Sequence, residues 1–311
     1  MKQYKNILVI ALALTFVLSL AACGKSEKPT STDTPEETTA NALESAPTSE
    51  AMKPVLLVVS FGTSYNESRD ITIGAIEKAL ADAYPDYEVR RAFTSQIIID
   101  ILKERDKLEI DNVTEAMDRL VADGVKDVVI QPTHVMNGYE YDDVIAEVTP
   151  YKDKFDSFKI GEPLLISDED YDDVVSAITT QTATYDVEGT AIVFMGHGTE
   201  HEANATYAKL QQKLIDAGHN NYFVGTVEAE PTVEDVLAMV QASDAKKVVL
   251  LPLMIVAGDH ANNDMAGDEE DSWKSVFEAN GFEVECVLEG LGQNTAIHQI
   301  YIKHVKAAIE Q

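Results

Sequence analysis

The chain has 311 residues, 45 % of them hydrophobic and 25 % charged, with a formal charge of −30 at pH 7. So acidic a chain has no basic surface with which to neutralise phosphates, which leaves nucleic acid out as a partner. The same charge concentrates metal cations and repels polyanionic substrates unless local Arg or Lys side chains intervene. Its only cysteines, Cys23 and Cys286, exclude a disulfide framework and a Cys-based metal site.

Taken in order, the chain opens with a positive start at Lys2 and Lys5, then the apolar run Ile7 to Leu20 and the tetrapeptide Leu20-Ala21-Ala22-Cys23. The run is shorter than the ~20 residues a bilayer core needs. Residues 1–22 therefore read as a secretory signal peptide, with the small residues before Cys23 forming a lipidation signal. The expectation is an exported protein, anchored to the cell membrane only through a lipid on Cys23. Residues 23–53 are rich in Thr, Ser, Pro, Glu and Ala and read as a disordered linker.

From Pro54 the segments alternate. The first half, 54–165, reads as a strand at Val55 to Ser60, a helix over Ser68 to Ala83, a strand at Tyr87 to Ala92, and helices at Ser95 to Arg105 and Thr114 to Ala122. A strand at Val125 to Gln131 then ends at Pro132, followed by a helix over Tyr139 to Tyr151 and a short strand at Phe158 to Gly161. The second half, 166–311, restarts the pattern, with strands at Thr190 to Met195, Tyr222 to Val227, Lys247 to Leu251 and Phe282 to Leu288. Its helices are expected over Asp170 to Thr182, Ala203 to Ala217, Thr232 to Ala242, Ser272 to Asn280 and Thr295 to Ile309. Continuous apolar strands between amphipathic helices predict an α/β protein with parallel sheets covered on both faces.

The halves repeat each other. Lys126 to Asp142 superposes on Lys246 to Asn262 without a gap, so that Pro132 matches Pro252, Gly138 matches Gly258 and Glu140 falls on His260. Likewise Gly62-Thr63 falls on Gly198-Thr199, and Phe61 on His197. Two similar Rossmann-like halves facing a central cleft follow, with the carboxyl ends of the strands lining it.

Those strand ends carry the candidate chemistry. His197 lies between Gly196 and Gly198, where the backbone can turn sharply and leave the imidazole uncrowded. His260 follows Gly258 among acids and amides, and Asp259 or Asp264 is placed to fix its tautomer; the bland reading is an exposed His in a helix N-terminal turn. Glu228 ends the strand between them. Together the three make a two-His, one-carboxylate set suited to a divalent transition metal with open positions. Glu140 is a fourth group at the opposite rim. His134, just past Pro132, reads as a cleft-lining residue, and His201 as supporting or exposed. There is no P-loop, no GxGxxG after a strand and no GxSxG elbow.

With these residues in view, the chain resembles the anaerobic cobalt chelatases of the CbiK type, sirohydrochlorin cobaltochelatases of the class II chelatases. The matching pieces are LLVVSFGTSY (56–65), RAFTS (91–95), NGYEYDDV (137–144), VFMGHGTEHEA (193–203), VGTVEAEP (224–231), LPLMIVAGDHANNDMAGDEEDSWK (251–274) and GLGQN (290–294), in order across nearly all of 54–310. The resemblance implies insertion of a divalent metal, Co2+ first and Fe2+ or Ni2+ as alternatives, into sirohydrochlorin or a related tetrapyrrole. It implies that His197, Glu228 and His260 hold the metal and that His197 removes pyrrole protons. The first half then supplies the substrate wall, with Ser60, Phe61, Gly62, Thr63, Ser64 and Tyr65, with Arg91 and with Glu140. For Arg91 two readings stay open: pairing with substrate carboxylates, or with one of the chain's many acids. The signal and tether depart from the cytoplasmic enzymes of cobalamin synthesis, so an extracytoplasmic metal- or haem-binding lipoprotein without turnover is the alternative function. A homo-oligomer is left open.

Overall fold

The computed structural model describes residues 52–311. The expected signal peptide, Cys23 and all but the end of the linker lie outside the described residues.

The first half runs β1 (Val55–Ser60), α1 (Asn66–Ile71), α2 (Ile73–Ala83), β2 (Glu88–Phe93), α3 (Gln96–Asp106), α4 (Val113–Asp123), β3 (Asp127–Pro132), α5 (Tyr139–Val148) and β4 (Ser157–Ile160). The second runs α6 (Asp168–Gln181), β5 (Thr190–Gly196), α7 (Ala205–Asp216), β6 (Tyr222–Thr226), α8 (Val233–Gln241), β7 (Lys247–Pro252), α9 (Trp273–Ala279), β8 (Glu283–Cys286) and α10 (Thr295–Glu310). Each half contributes one four-stranded parallel sheet, ordered β2-β1-β3-β4 and β6-β5-β7-β8. The two orders are the same, so the repeat in the sequence is also a repeat of topology. Every residue of β1 and β5 is buried, because helices cover both faces of each sheet. Local chemistry sets several helix ends: Asn112 with Glu115, Ser167 with Asp170 and Thr232 with Asp235 form capping boxes, and Gly124 closes α4 in the left-handed region.

Two features depart from the sequence reading. The helix expected over 68–83 is broken at Thr72 into α1 and α2. The Thr72 hydroxyl donates to the Ser68 carbonyl, a back-bond that bends helices. The fully buried Thr72 also lies hard under Gly292, where an added Cβ would sit 2.8 Å from the Thr72 Cβ. A loop near the other end of the chain thus packs directly against the break.

The second departure concerns α10. The sequence places it in the second half, yet it packs on α2, β3 and β4 as well as on α6. Its Tyr301 hydroxyl donates to the Thr133 carbonyl at 2.9 Å, and Tyr84 of the first half donates to the Ile302 carbonyl at 2.7 Å. His304 is held between Asp170 (3.0 Å) and the Glu162 carbonyl (3.2 Å). The largest apolar cluster accordingly mixes Leu56, Val58, Ile76 and Leu80 with Ile192, Phe194, Leu251 and Tyr301. Tyr301→Phe removes one buried hydroxyl and strands its acceptor. The expected loss is about 1–2 kcal/mol, read as a fall in Tm of about 2–6 °C by thermal denaturation.

Candidate functional site

His197 follows the last residue of β5 directly. Both flanking glycines are required there. A Cβ on Gly196 would lie 2.2 Å from the Tyr207 ring, and Gly198 has φ +87° with its Cβ position 2.7 Å from the Ala229 nitrogen. The Tyr207 hydroxyl accepts from the Gly198 N–H at 3.1 Å, fixing the turn from below. Glu228 reaches His197 because the parallel ladder between β5 and β6 continues past both strand ends: Val227 N–H donates to the Gly196 carbonyl at 3.0 Å and Glu228 N–H to the His197 carbonyl at 2.9 Å. Hydrogen bonds between Thr226 and Ala229 hold the turn that follows.

His260 arrives from β7. The chain enters a helical turn at Asp259, and Ala261–Met265 is a π-helical turn, a widened geometry common at functional sites. Within it Asp264 Oδ2 lies 2.7 Å from His260 Nδ1. His197 Nδ1 likewise lies 2.9 Å from the Gly198 carbonyl, an oxygen that can only accept. Each Nδ1 thus faces an oxygen acceptor and is the donor of its hydrogen bond, so in the neutral form of either ring Nε2 carries the lone pair.

The three groups converge. The two imidazoles stand 4.8 Å apart between ring centroids, at 74°. Glu228 Oε2 lies 3.8 Å from His197 Nε2, and one ligand atom from each of His197, Glu228 and His260 falls within 4.8 Å of the others. Two imidazoles and a carboxylate at this spacing suit a divalent transition metal. The side chains are 44 %, 55 % and 30 % exposed for His197, Glu228 and His260, so the cluster is open to solvent.

The remaining predicted positions divide. Glu140, in the first turn of α5, keeps 48 % of its side chain exposed. Partial burial raises its pKa, the His197 imidazole lowers it, and Asp143 and Glu228 raise it further. Glu140 is thus electrostatically coupled to the cluster from the opposite half. In the 60–65 loop, Phe61 and Tyr65 are exposed, and the Tyr65 hydroxyl lies 3.5 Å from Asp259. Ser60 and Thr63, expected on the substrate wall, are only 2 % and 3 % exposed. Ser60 Oγ pairs with Thr133 Oγ1 at 2.7 Å, and Thr63 Oγ1 accepts from Tyr65 N–H at 3.2 Å. Gly62 has φ +99°, and a Cβ on it would strike the Phe93 ring. The Ser64 carbonyl accepts from Arg105 at 2.6 Å. These residues shape the loop, which presents the two aromatics. Arg91 is held bidentately by Glu77 at 2.6 and 2.5 Å. It sits in register with Val58 beside α2, so of its two readings the protein acid is the one found.

Other residues gained meaning only in three dimensions. Tyr207 carried no sequence signal beyond its position on a helix face. His201 bridges the halves: its ring stands 4.8 Å from that of Tyr139, and its Nε2 is 3.5 Å from Asp142. His134 is buried, with neither ring nitrogen hydrogen-bonded among the described residues.

Comparison with known proteins gives the family. A family model described as cobalt chelatase (CbiK) matches residues 54–310. A sirohydrochlorin cobaltochelatase from Salmonella typhimurium strain LT2 is 42 % identical over 258 residues, covering 83 % of this chain and 97 % of that protein. The sirohydrochlorin cobaltochelatase CbiKC of Nitratidesulfovibrio vulgaris strain Hildenborough is 31 % identical over 259 residues, covering 83 % and 91 %. Among solved structures, SirB from Bacillus subtilis with Fe3+ shares the fold at 12 % identity with a TM-score of 0.57, over 83 % of this chain and 96 % of that one.

Burial drives the His134 pKa from 6.5 down to about 4. The unfolded chain then binds a proton that the folded chain refuses. This contribution to stability is complete above pH 6.5 and is lost as pH falls towards 4, by up to about 3 kcal/mol. Urea unfolding between pH 7 and 4 should show that fall, and His134→Leu should flatten it.

Proposed function

The chain belongs to the CbiK family of cobalt chelatases, and from that premise we propose how its residues insert Co2+ into sirohydrochlorin or a closely related tetrapyrrole. The observation that carries the reading is the convergence of His197, Glu228 and His260, with both Nε2 lone pairs free, at the mouth of the β5, β6 and β7 strand ends. Insertion replaces two pyrrole N–H bonds by bonds to the metal and releases two protons, with no change of oxidation state.

The donor set matches that exchange. Cobalt is here a substrate, held by two neutral imidazoles and one carboxylate and left with open positions for macrocycle nitrogens. Ligands exposed to this degree can hand the ion on, unlike a closed structural site. As the metal passes to the macrocycle, the His197 Nε2 lone pair is released and accepts one pyrrole proton. Glu140, on the other wall, takes the second. Phe61 and Tyr65 offer apolar area to the tetrapyrrole. The same two-nitrogen, one-oxygen set accommodates Fe2+ and Ni2+. The signal-like run ending at Cys23 supports an exported, lipid-anchored location for this chemistry.

Purified protein mixed with sirohydrochlorin and Co2+ should convert the visible spectrum to that of the metallated macrocycle faster than the uncatalysed mixture. His197→Ala should lower kcat by roughly 100-fold or more while circular dichroism stays unchanged. Binding of both components without accelerated insertion would instead favour a metal- or haem-binding lipoprotein.

A further inference from the structure

The first strand-to-loop unit carries an imidazole that the fold does not explain. His134 follows β3 closely, and its side chain is 6 % exposed. Among the described residues neither ring nitrogen has a hydrogen-bond partner, a state that buried polar groups rarely tolerate. The acid that faces it is Glu140, with Oε2 3.8 Å from His134 Nε2. That separation is about 0.6 Å beyond the upper end of the usual hydrogen-bond range. Burial keeps the ring neutral near pH 7, so it has one N–H to give and no charge with which to compete for the cluster's metal.

The duplication shows that packing alone does not ask for this residue. With Lys126 to Asp142 laid on Lys246 to Asn262, His134 falls on Met254. Met254 is a partly buried side chain packed against the apolar cluster of its own half. The same slot therefore accepts a thioether. What differs is the group delivered to the cleft farther along each unit. The second copy delivers the imidazole of His260, oriented by the carboxylate of Asp264. The first copy delivers the carboxylate of Glu140, and the ring behind it is His134.

We propose that His134 is a positioning residue: its Nε2–H donates to Glu140 and holds that carboxylate toward the His197, Glu228 and His260 cluster. The inference rests on reading that cluster as the insertion site. In the step it serves, a pyrrole N–H bond breaks, the proton passes to a Glu140 oxygen and the nitrogen electron pair goes to cobalt. His134 keeps its own proton throughout.

Two measurements test this. In histidine-labelled nitrogen NMR of the metal-free protein, His134 should show its proton on Nε2, and Glu140→Gln should shift that resonance. An unshifted signal, or a proton on Nδ1, overturns the pairing whatever the activity proves to be. In insertion kinetics, His134→Leu should lower kcat roughly tenfold with KM for sirohydrochlorin unchanged. His134→Gln, which restores an N–H donor, should recover most of the loss. His134→Leu added to Glu140→Gln should do no further harm. Additive losses, or a Gln variant no better than Leu, would sink the proposal. Should His134→Leu not fold, the NMR of Glu140→Gln still decides. A wild type that inserts no metal counts against the proposed function alone, because the NMR result does not depend on turnover.

Discussion

The site depends on where two protons are parked. His197 Nδ1 donates a hydrogen bond to the Gly198 carbonyl and His260 Nδ1 donates one to the Asp264 carboxylate. With Nδ1 occupied in both rings, the two Nε2 lone pairs converge beside Glu228. Much of the surrounding structure serves that arrangement. Gly196 makes room for Tyr207, the Tyr207 hydroxyl grips the turn at Gly198, and the extended β5–β6 ladder carries Glu228 alongside. The π-helical turn after His260 brings Asp264 back to the ring. A chelatase needs ligands that are oriented but still accessible, and both requirements are met by fixing each ring through its far nitrogen.

The duplication explains the layout and its asymmetry. Both sheets share one strand order, so each half repeats the other's strand-to-loop plan. The second half delivers all three cluster residues. The first half supplies Glu140 and the aromatic edge of Phe61 and Tyr65. Three contacts tie the halves: His201 with Tyr139 and with Asp142, and Tyr65 with Asp259.

Much of this was legible in the sequence. Buried strands announce themselves as apolar runs, and a Gly-His-Gly at a strand end is a local signal of a sharp turn bearing an imidazole. The alternation of elements was enough for the α/β class with parallel sheets. What stayed hidden depends on distant partners. The break at Thr72 comes with a glycine near the other end of the chain. Arg91 finds Glu77 only once α2 lies over β2. Ser60 and Thr63 look like exposed hydroxyls in a Ser-Phe-Gly-Thr string until the loop folds them inward. His134 read as a lining residue, and its burial depends on the packing around the end of β3.

The course of α10 bears on how the chain reaches its native state. Leu56, Val58, Ile76 and Leu80 are among the first apolar residues of the folded part, yet they share a core cluster with Tyr301 and Val305 near the end of the chain. That cluster cannot close until the last helix has been synthesised. Such distant pairings raise contact order and slow folding. They also bind the two copies of the repeat into one cooperative unit: a fragment ending before residue 295 would leave a long apolar face of the first half open to water and to other chains.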